Sequence, residues 1–124
     1  AGAKIYGIVP QFVVNRNVVS DTLDVEIRTA GLADRKTILI ERSDFMIALP
    51  GGVGTLDEIF TLLAEITIDG TRKHLALYNV DGCWDMLVAM LDQMVETNLV
   101  DLSVRSKVHV VETTEALESL CQSL

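Results

Sequence analysis

Hydrophobic and polar residues repeat along this chain with two periods, which predict strands that alternate with helices. Short apolar runs are typical of buried strands, and they occur at residues 4–9, 45–49, 75–78 and 107–111. Residues 22–28 alternate between apolar and polar side chains, which predicts a further strand. Apolar residues three and four positions apart predict helices at residues 33–42, 56–68, 84–96 and 113–120. Residues 11–20 mix both patterns and are consistent with a loop or a short helix.

This order of elements predicts an α/β fold. Strands that alternate with helices are joined by right-handed crossovers and form a mostly parallel sheet. The 124 residues suffice for one hydrophobic core, so we expect a single domain over residues 1–124. Ligands of such sheets bind beyond the carboxyl ends of the strands.

A glycine-rich segment lies at one of these strand ends: Pro50-Gly51-Gly52-Val53-Gly54-Thr55. Pro50 cannot donate to a sheet ladder and should end the strand. The glycines allow positive φ angles and let a ligand approach the backbone closely. The following helix directs its unpaired N–H groups and positive dipole end at the loop, which favours phosphate or carboxylate binding. A tight turn without a ligand is the alternative.

Two common phosphate-binding motifs do not match this segment. A Walker A loop requires a lysine after its last glycine, and none occurs here. A dinucleotide fingerprint would require glycine at Asp57, whose carboxylate would repel a pyrophosphate. The sequence therefore disfavours NAD binding.

The charge of the chain limits the classes of partner that we expect it to bind. The 18 acidic and 10 basic residues give a net charge of −8, which is unlike a protein that binds duplex nucleic acid. Cys83 and Cys121 are too few for a disulfide framework and favour a reducing compartment. No apolar run reaches the ~20 residues of a membrane span, and no signal peptide is visible. We expect a soluble, cytoplasmic protein that binds neither duplex nucleic acid nor membrane.

Residues 50–58 resemble the PGGxGTxxE signature of the LOG ("lonely guy") family, cytokinin riboside monophosphate phosphoribohydrolases long labelled lysine decarboxylase-like. Asp34-Arg35-Lys36 is similar to a basic pair of this family. Residues 7–10 resemble its GVIP strand end, and residues 77–82 resemble its LLNVDG turn. The resemblance implies a Rossmann-like three-layer fold.

The chain departs from the family pattern in three places. The family's initial βαβα portion is absent, so we expect a fold truncated at its N-terminus. Ala33 stands where relatives often carry histidine, and Glu65 where they often carry tryptophan. In the family sheet the absent first strand lies beside strand 45–49. Its absence would leave an apolar edge, which predicts a homodimer or a larger homo-oligomer.

The resemblance implies hydrolysis of the N-glycosidic bond of a nucleoside 5′-monophosphate to free base and ribose 5-phosphate, without a cofactor. Glu58 and Arg35 match the family's catalytic residues. The expected phosphate- and substrate-binding residues are Lys36, Pro50, Gly51, Gly52, Val53, Gly54 and Thr55. The alternative function is a non-catalytic nucleotide- or phosphate-binding module, or an inactive remnant of the family.

Each of these residues also has a purely structural interpretation. Thr55 and Glu58 have the spacing of a capping box, with Thr55 as the helix N-cap. Arg35 would then be an exposed helical side chain, and Lys36 a solvated one or a secondary phosphate contact. The sequence alone leaves these alternatives open.

The remaining candidate residues indicate no metal or cofactor site. His74 and His109 are far apart, and no spacing of His, Cys and Asp suggests a metal site. A pyridoxal-phosphate lysine decarboxylase needs a Schiff-base lysine, and nothing singles one out. Asp57 and Glu65 are expected at solvent or at a subunit interface, and Met86, Met90 and Met94 in a core or an interface.

Overall fold

Parallel strands and helices alternate along residues 3–11 and 21–124, which the computed structural model describes. The chain divides into two compact units, residues 1–43 and 44–124, each described here by itself. All strand pairs are parallel, so the predicted α/β class is confirmed. The prediction of a single domain over residues 1–124 stays a prediction.

The first unit contains strands β1 (Tyr6–Pro10) and β2 (Val25–Thr29) and helix α1 (Leu32–Glu41). The strands pair with Tyr6 opposite Val25, and α1 contacts both of them. Ile40 is the fully buried residue of α1. Of the predicted loop or short helix at residues 11–20, positions 12–20 lie outside the described residues.

The second unit is built on a three-stranded sheet in the order β3-β4-β5. Its strands are β3 (Phe45–Ala48), β4 (His74–Tyr78) and β5 (Val108–Val111). Its helices are α2 (Val53–Asp69), α3 (Asp85–Glu96), α4 (Leu102–Arg105) and α5 (Thr114–Ser123), and a 3₁₀ turn spans Val80–Gly82.

The core of this unit lies between β4 and the helices. Leu75, Ala76 and Leu77 are almost completely buried, as expected for a central parallel strand. The buried face of α2 is formed by Ile59, Leu62, Leu63 and Ile66. The predicted stripe at positions 56, 59, 60 and 63 is therefore partly wrong, because Phe60 is 40% exposed. Apolar residues surround more than half of this helix, so spacing alone does not select the buried face.

The register of β4 and β5 brings the two histidines together. Ala76 lies opposite His109, which places His74 and His109 diagonally on the same face of adjacent strands. His74 Nδ1 lies 3.0 Å from His109 Nε2. The residues that are far apart in sequence form a direct pair, because strand register brings them together.

None of the helices in the described residues is long and apolar enough to span a membrane.

Candidate functional site

The glycine segment connects the end of β3 to the start of α2. Strand β3 ends at Ala48, two residues before Pro50, as its missing N–H donor requires. Helix α2 begins at Val53 with Gly52 as its N-cap, and Leu56 N donates the first helical hydrogen bond to the Gly52 carbonyl at 3.1 Å. The N–H groups of the first turn precede this bond and have no intrahelical acceptor.

This start corrects the capping-box interpretation. Thr55 is the third residue of α2, and no side chain caps the helix at Gly52. Glu58 therefore lies in the second turn, where a capping-box glutamate does not occur. The glycines lower helix propensity and hide the true start of α2 from a sequence pattern.

The glycines of the segment do not adopt the positive φ angles that glycine allows. Among the described glycines, only Gly70 and Gly82 have positive φ. Gly51 is required for another reason, because a Cβ atom there would overlap the Thr55 hydroxyl. The segment is thus folded tightly enough to bring Thr55 Oγ1 against the Gly51 backbone.

Gly52 and Gly54 are surrounded by open space. A Cβ atom at either position would meet no atom of the described residues within 4 Å. Internal packing therefore does not require glycine at these two positions. Their side of the loop is open to the close approach of an external group, as a phosphate-binding loop requires.

A cavity of about 230 Å³ lies at this end of β3. Its lining combines apolar residues of β3 with Pro50, Thr55 and Glu58. The structure thus brings three of the sequence-predicted site residues together. Glu58 is half-buried in this lining, and no lysine or arginine of the described residues contributes to it.

Arg35 and Lys36 belong to the first unit. Arg35 lies in the first turns of α1, where its backbone N–H bonds the Gly31 carbonyl at 3.2 Å. Its Nε donates to the Ile8 carbonyl, also at 3.2 Å. Arg35 and Lys36 are half-buried, so neither is the fully exposed side chain of the structural interpretation. The catalytic role of Arg35 that the family resemblance implies stays a prediction.

The turn after β4 contains a buried polar residue that the sequence analysis did not single out. Asn79 is only 4% exposed; its Oδ1 accepts from the Trp84 N–H at 2.7 Å, and its Nδ2 donates to Asp85 at 2.8 Å. Asp81 and Gly82 both have positive φ. The turn follows the carboxyl end of β4, beside β3. The only sequence feature that indicates this turn is Asn-Val-Asp-Gly.

A sequence model of the family described as possible lysine decarboxylase, which includes the LOG proteins, matches residues 1–120. The chain belongs to the LOG family. One LOG relative, a cytokinin riboside 5′-monophosphate phosphoribohydrolase of Arabidopsis thaliana, is 31% identical over 124 residues, which are 100% of this chain and 53% of the relative. A probable enzyme of the same name from Oryza sativa subsp. japonica is 34% identical over 122 residues, 98% of this chain and 48% of the relative.

The chain spans about half the length of the curated LOG relatives it matches. A solved structure is also similar, that of the molybdenum cofactor binding protein from the phototrophic bacterium Rippkaea orientalis. Its TM-score is 0.62 at 25% identity, over 98% of this chain and 63% of that one. The Rossmann-like α/β fold expected of a LOG protein is thereby supported.

Proposed function

We propose that this chain carries the site of a LOG-type phosphoribohydrolase, which cleaves the N-glycosidic bond of a nucleoside 5′-monophosphate to free base and ribose 5-phosphate. The observation that carries the proposal is the cavity that joins Glu58 to Thr55 and the glycine segment. The names of the LOG relatives support this reaction class.

In the proposed site, the substrate phosphate binds at the start of α2. The N–H groups of the first turn and the Thr55 hydroxyl are hydrogen-bond donors, and the helix dipole favours the negative charge. The open space beside Gly52 and Gly54 admits the phosphate oxygens to the backbone. The family resemblance implies a catalytic role for Arg35 and a substrate-binding role for Lys36, and these two assignments rest on the family motif alone.

Glu58 is proposed as the catalytic carboxylate. It follows Thr55 by three residues, which is about 4.5 Å along the helix axis. A phosphate held at the first turn would therefore leave the ribose within reach of Glu58. The reaction develops positive charge on the ribosyl ring, and a carboxylate can stabilise that charge or take a proton from the attacking water.

The decisive experiment measures free base released from a panel of nucleoside 5′-monophosphates, with the matching nucleosides as controls. We expect release from the monophosphates only, because the phosphate site positions the substrate. Absence of release from a sample that is folded by NMR would contradict the enzymatic proposal.

A second candidate is a binding module without hydrolysis. It is favoured by the structural likeness to a protein named for binding the molybdenum cofactor rather than for a reaction. On this proposal the glycine segment binds the phosphate and Glu58 has no catalytic role. Saturable nucleotide binding without base release would support it.

We also propose that two copies associate through β3, in a cytoplasmic protein. Strand β3 lies at the edge of the sheet formed by the described residues, and Ile47 is 42% exposed. An apolar edge strand readily pairs with another chain. Sedimentation of the dilute protein as a stable monomer would contradict this assembly.

A further inference from the structure

The basic residues of the 44–124 unit are gathered at one end of its sheet. Its lysine and arginine residues are Arg72, Lys73, Arg105 and Lys107. The first two precede β4, and the other two precede β5. Because parallel strands begin at the same edge, all four lie at the edge opposite the glycine segment. This concentration is unusual in a chain with a net charge of −8.

A cavity of about 560 Å³ opens at this edge of the sheet. Arg72, Lys73 and His74 contribute to its lining, together with Thr71. The Lys73 Nζ lies 3.8 Å from the Glu65 carboxylate, and Arg72 is exposed. The lining thus includes one ammonium and one guanidinium group.

Thr71 also belongs to the lining of this cavity. Its hydroxyl is buried and has no hydrogen-bond partner among residues 3–11 and 21–124. An unsatisfied buried hydroxyl is rare in folded proteins. The Thr71 carbonyl accepts a hydrogen bond from Lys107 Nζ, which anchors the segment that carries Arg72 and Lys73.

The histidine pair lies beside these cations. His74 lines the cavity and its ring contacts that of His109. Burial, followed by repulsion from His74 and from Arg105, lowers the pKa of His109. An anion in the cavity would offset this repulsion and favour protonation.

Other ionisable groups also surround this cavity. Asp44 lines it from the residue before β3, and Glu65 approaches from α2. Cys121 lines it from α5. Arg105 is paired with Asp92, and Lys107 donates to the Thr71 carbonyl. The cations of the lining itself are therefore Arg72 and Lys73, beside the His74 ring.

We propose that this cavity binds a small phosphate-bearing anion, at a site separate from the glycine segment, and that protonation of His109, which contacts His74 of the lining, tightens binding. The ligand class follows from the donors, because guanidinium and ammonium groups together match phosphate oxygens. A site at the opposite end of the sheet is suited to an effector rather than to the substrate.

The test is an NMR titration of the 124-residue protein with inorganic pyrophosphate at pH 7.5, which follows the ring signals of His74 and the amide signals of Gly52 and Gly54 separately. We expect a saturable shift of the His74 ring. Substitution R72Q/K73Q should weaken this binding by about tenfold, because two charge-assisted contacts are lost. The matched variant K4Q/R28Q removes the same charge from the exposed surface of the first unit and should change the affinity by less than about twofold.

Three results would overturn the proposal: no saturable shift of the His74 ring, an equal loss of affinity in both double variants, or the same shift with sodium chloride at equal ionic strength. If R72Q/K73Q does not fold, the titration of the wild-type protein alone tests the proposed anion site. The glycine-segment amides report the other site, so failure of one proposal leaves the other testable.

The contribution of the histidines is tested with sulfate, which stays doubly charged between pH 5.5 and 7.5. We expect about fivefold tighter binding at pH 5.5, the effect of one added charge near the anion. The variant H74Q/H109Q should bind sulfate equally at both pH values. Equal affinities of the wild-type protein at the two pH values would overturn this part of the proposal.

Discussion

The three-stranded sheet of residues 44–124 has a backbone-lined loop at one end and a cluster of cationic side chains at the other. At the carboxyl end, the glycine segment and the start of α2 offer N–H groups, and no lysine or arginine among residues 3–11 and 21–124 lines the adjacent cavity. At the amino end, Arg72 and Lys73 line a cavity beside two histidines. Both arrangements suit a phosphate, by different physical means.

Because the two ends use different donors, anion binding at each end should depend on different solution conditions. Backbone N–H groups do not titrate. The affinity of the glycine segment for phosphate should therefore depend little on the protonation of the protein, and the shape of the segment should decide which anions fit. Side-chain cations are screened by salt, and histidines lose their charge as the pH rises. The basic cavity should therefore respond to both conditions.

Substitution of Glu58 by glutamine should have the largest effect. It removes the negative charge from the cavity at the carboxyl end while keeping the size of the side chain. We expect kcat for base release to fall by about 10²–10⁴-fold, with nucleotide binding largely kept. The neighbouring Asp57→Asn is the matched control, since Asp57 is exposed and does not line the cavity. Base release by Glu58→Gln at the parent rate would refute the catalytic role.

Gly51→Ala should destabilise the folded protein. The added methyl group overlaps the Thr55 hydroxyl, so the segment must shift to accommodate it. We expect the free energy of unfolding in urea to fall by about 1–3 kcal/mol, as for other overpacked sites. An unchanged urea midpoint would show that the segment adapts without cost and would contradict the close packing of Gly51 against Thr55.

Gly54→Ala should separate binding from stability. Its methyl group meets open space in the free protein, and alanine is the better helix former, so stability should stay equal or rise by about 0.5 kcal/mol. A phosphate bound at the start of α2 would meet this methyl group, and we expect about tenfold weaker nucleotide binding by calorimetry. Unchanged affinity would place the phosphate elsewhere.

His109→Gln should have the smallest effect, which is visible in the pH dependence of stability. The pKa of His109 is lowered below its ordinary value of 6.5, so the unfolded chain binds more protons as the pH falls. This contribution is present above pH 6.5 and is lost below it. We expect the fall in melting temperature between pH 7.5 and 5.5 to be smaller in His109→Gln than in the parent protein.

The carboxyl group of Asp101 should not contribute to the pH dependence of stability between pH 5.5 and 7.5. Hydrogen bonds from Ser103 lower the pKa of its carboxyl group below 3.8, so its contribution is lost only under more acidic conditions. If the melting temperatures of the parent protein and of His109→Gln fell equally between pH 7.5 and 5.5, this result would contradict the account of the histidine pair.

The order of strands and helices could be predicted from sequence because each element shows its own period over several residues. Helix α4 could not, since Leu102–Arg105 is a single turn and shows no period. The start of α2 was misplaced because glycine is typical of loops, whereas here Gly52 accepts the first helical hydrogen bond. The family signature identified Glu58 and Thr55, and the structure places both in one cavity.

Contacts between strands were beyond the sequence analysis. The pairing of His74 with His109 depends on the register of β4 and β5, which no local pattern encodes. The unpartnered hydroxyl of Thr71 and the buried side chain of Asn79 likewise follow from packing. The basic cavity could not be recognised from two short basic pairs that lie more than thirty residues apart in the chain.

The two free cysteines give each end of the sheet its own chemical handle. Cys83 is exposed just after the turn that follows β4, and Cys121 is exposed in α5, where it lines the basic cavity. A thiol-reactive fluorophore on either residue, with the other replaced by serine, would report on one end only. The chain thus already carries one attachment point for a fluorophore near each of its two candidate anion sites.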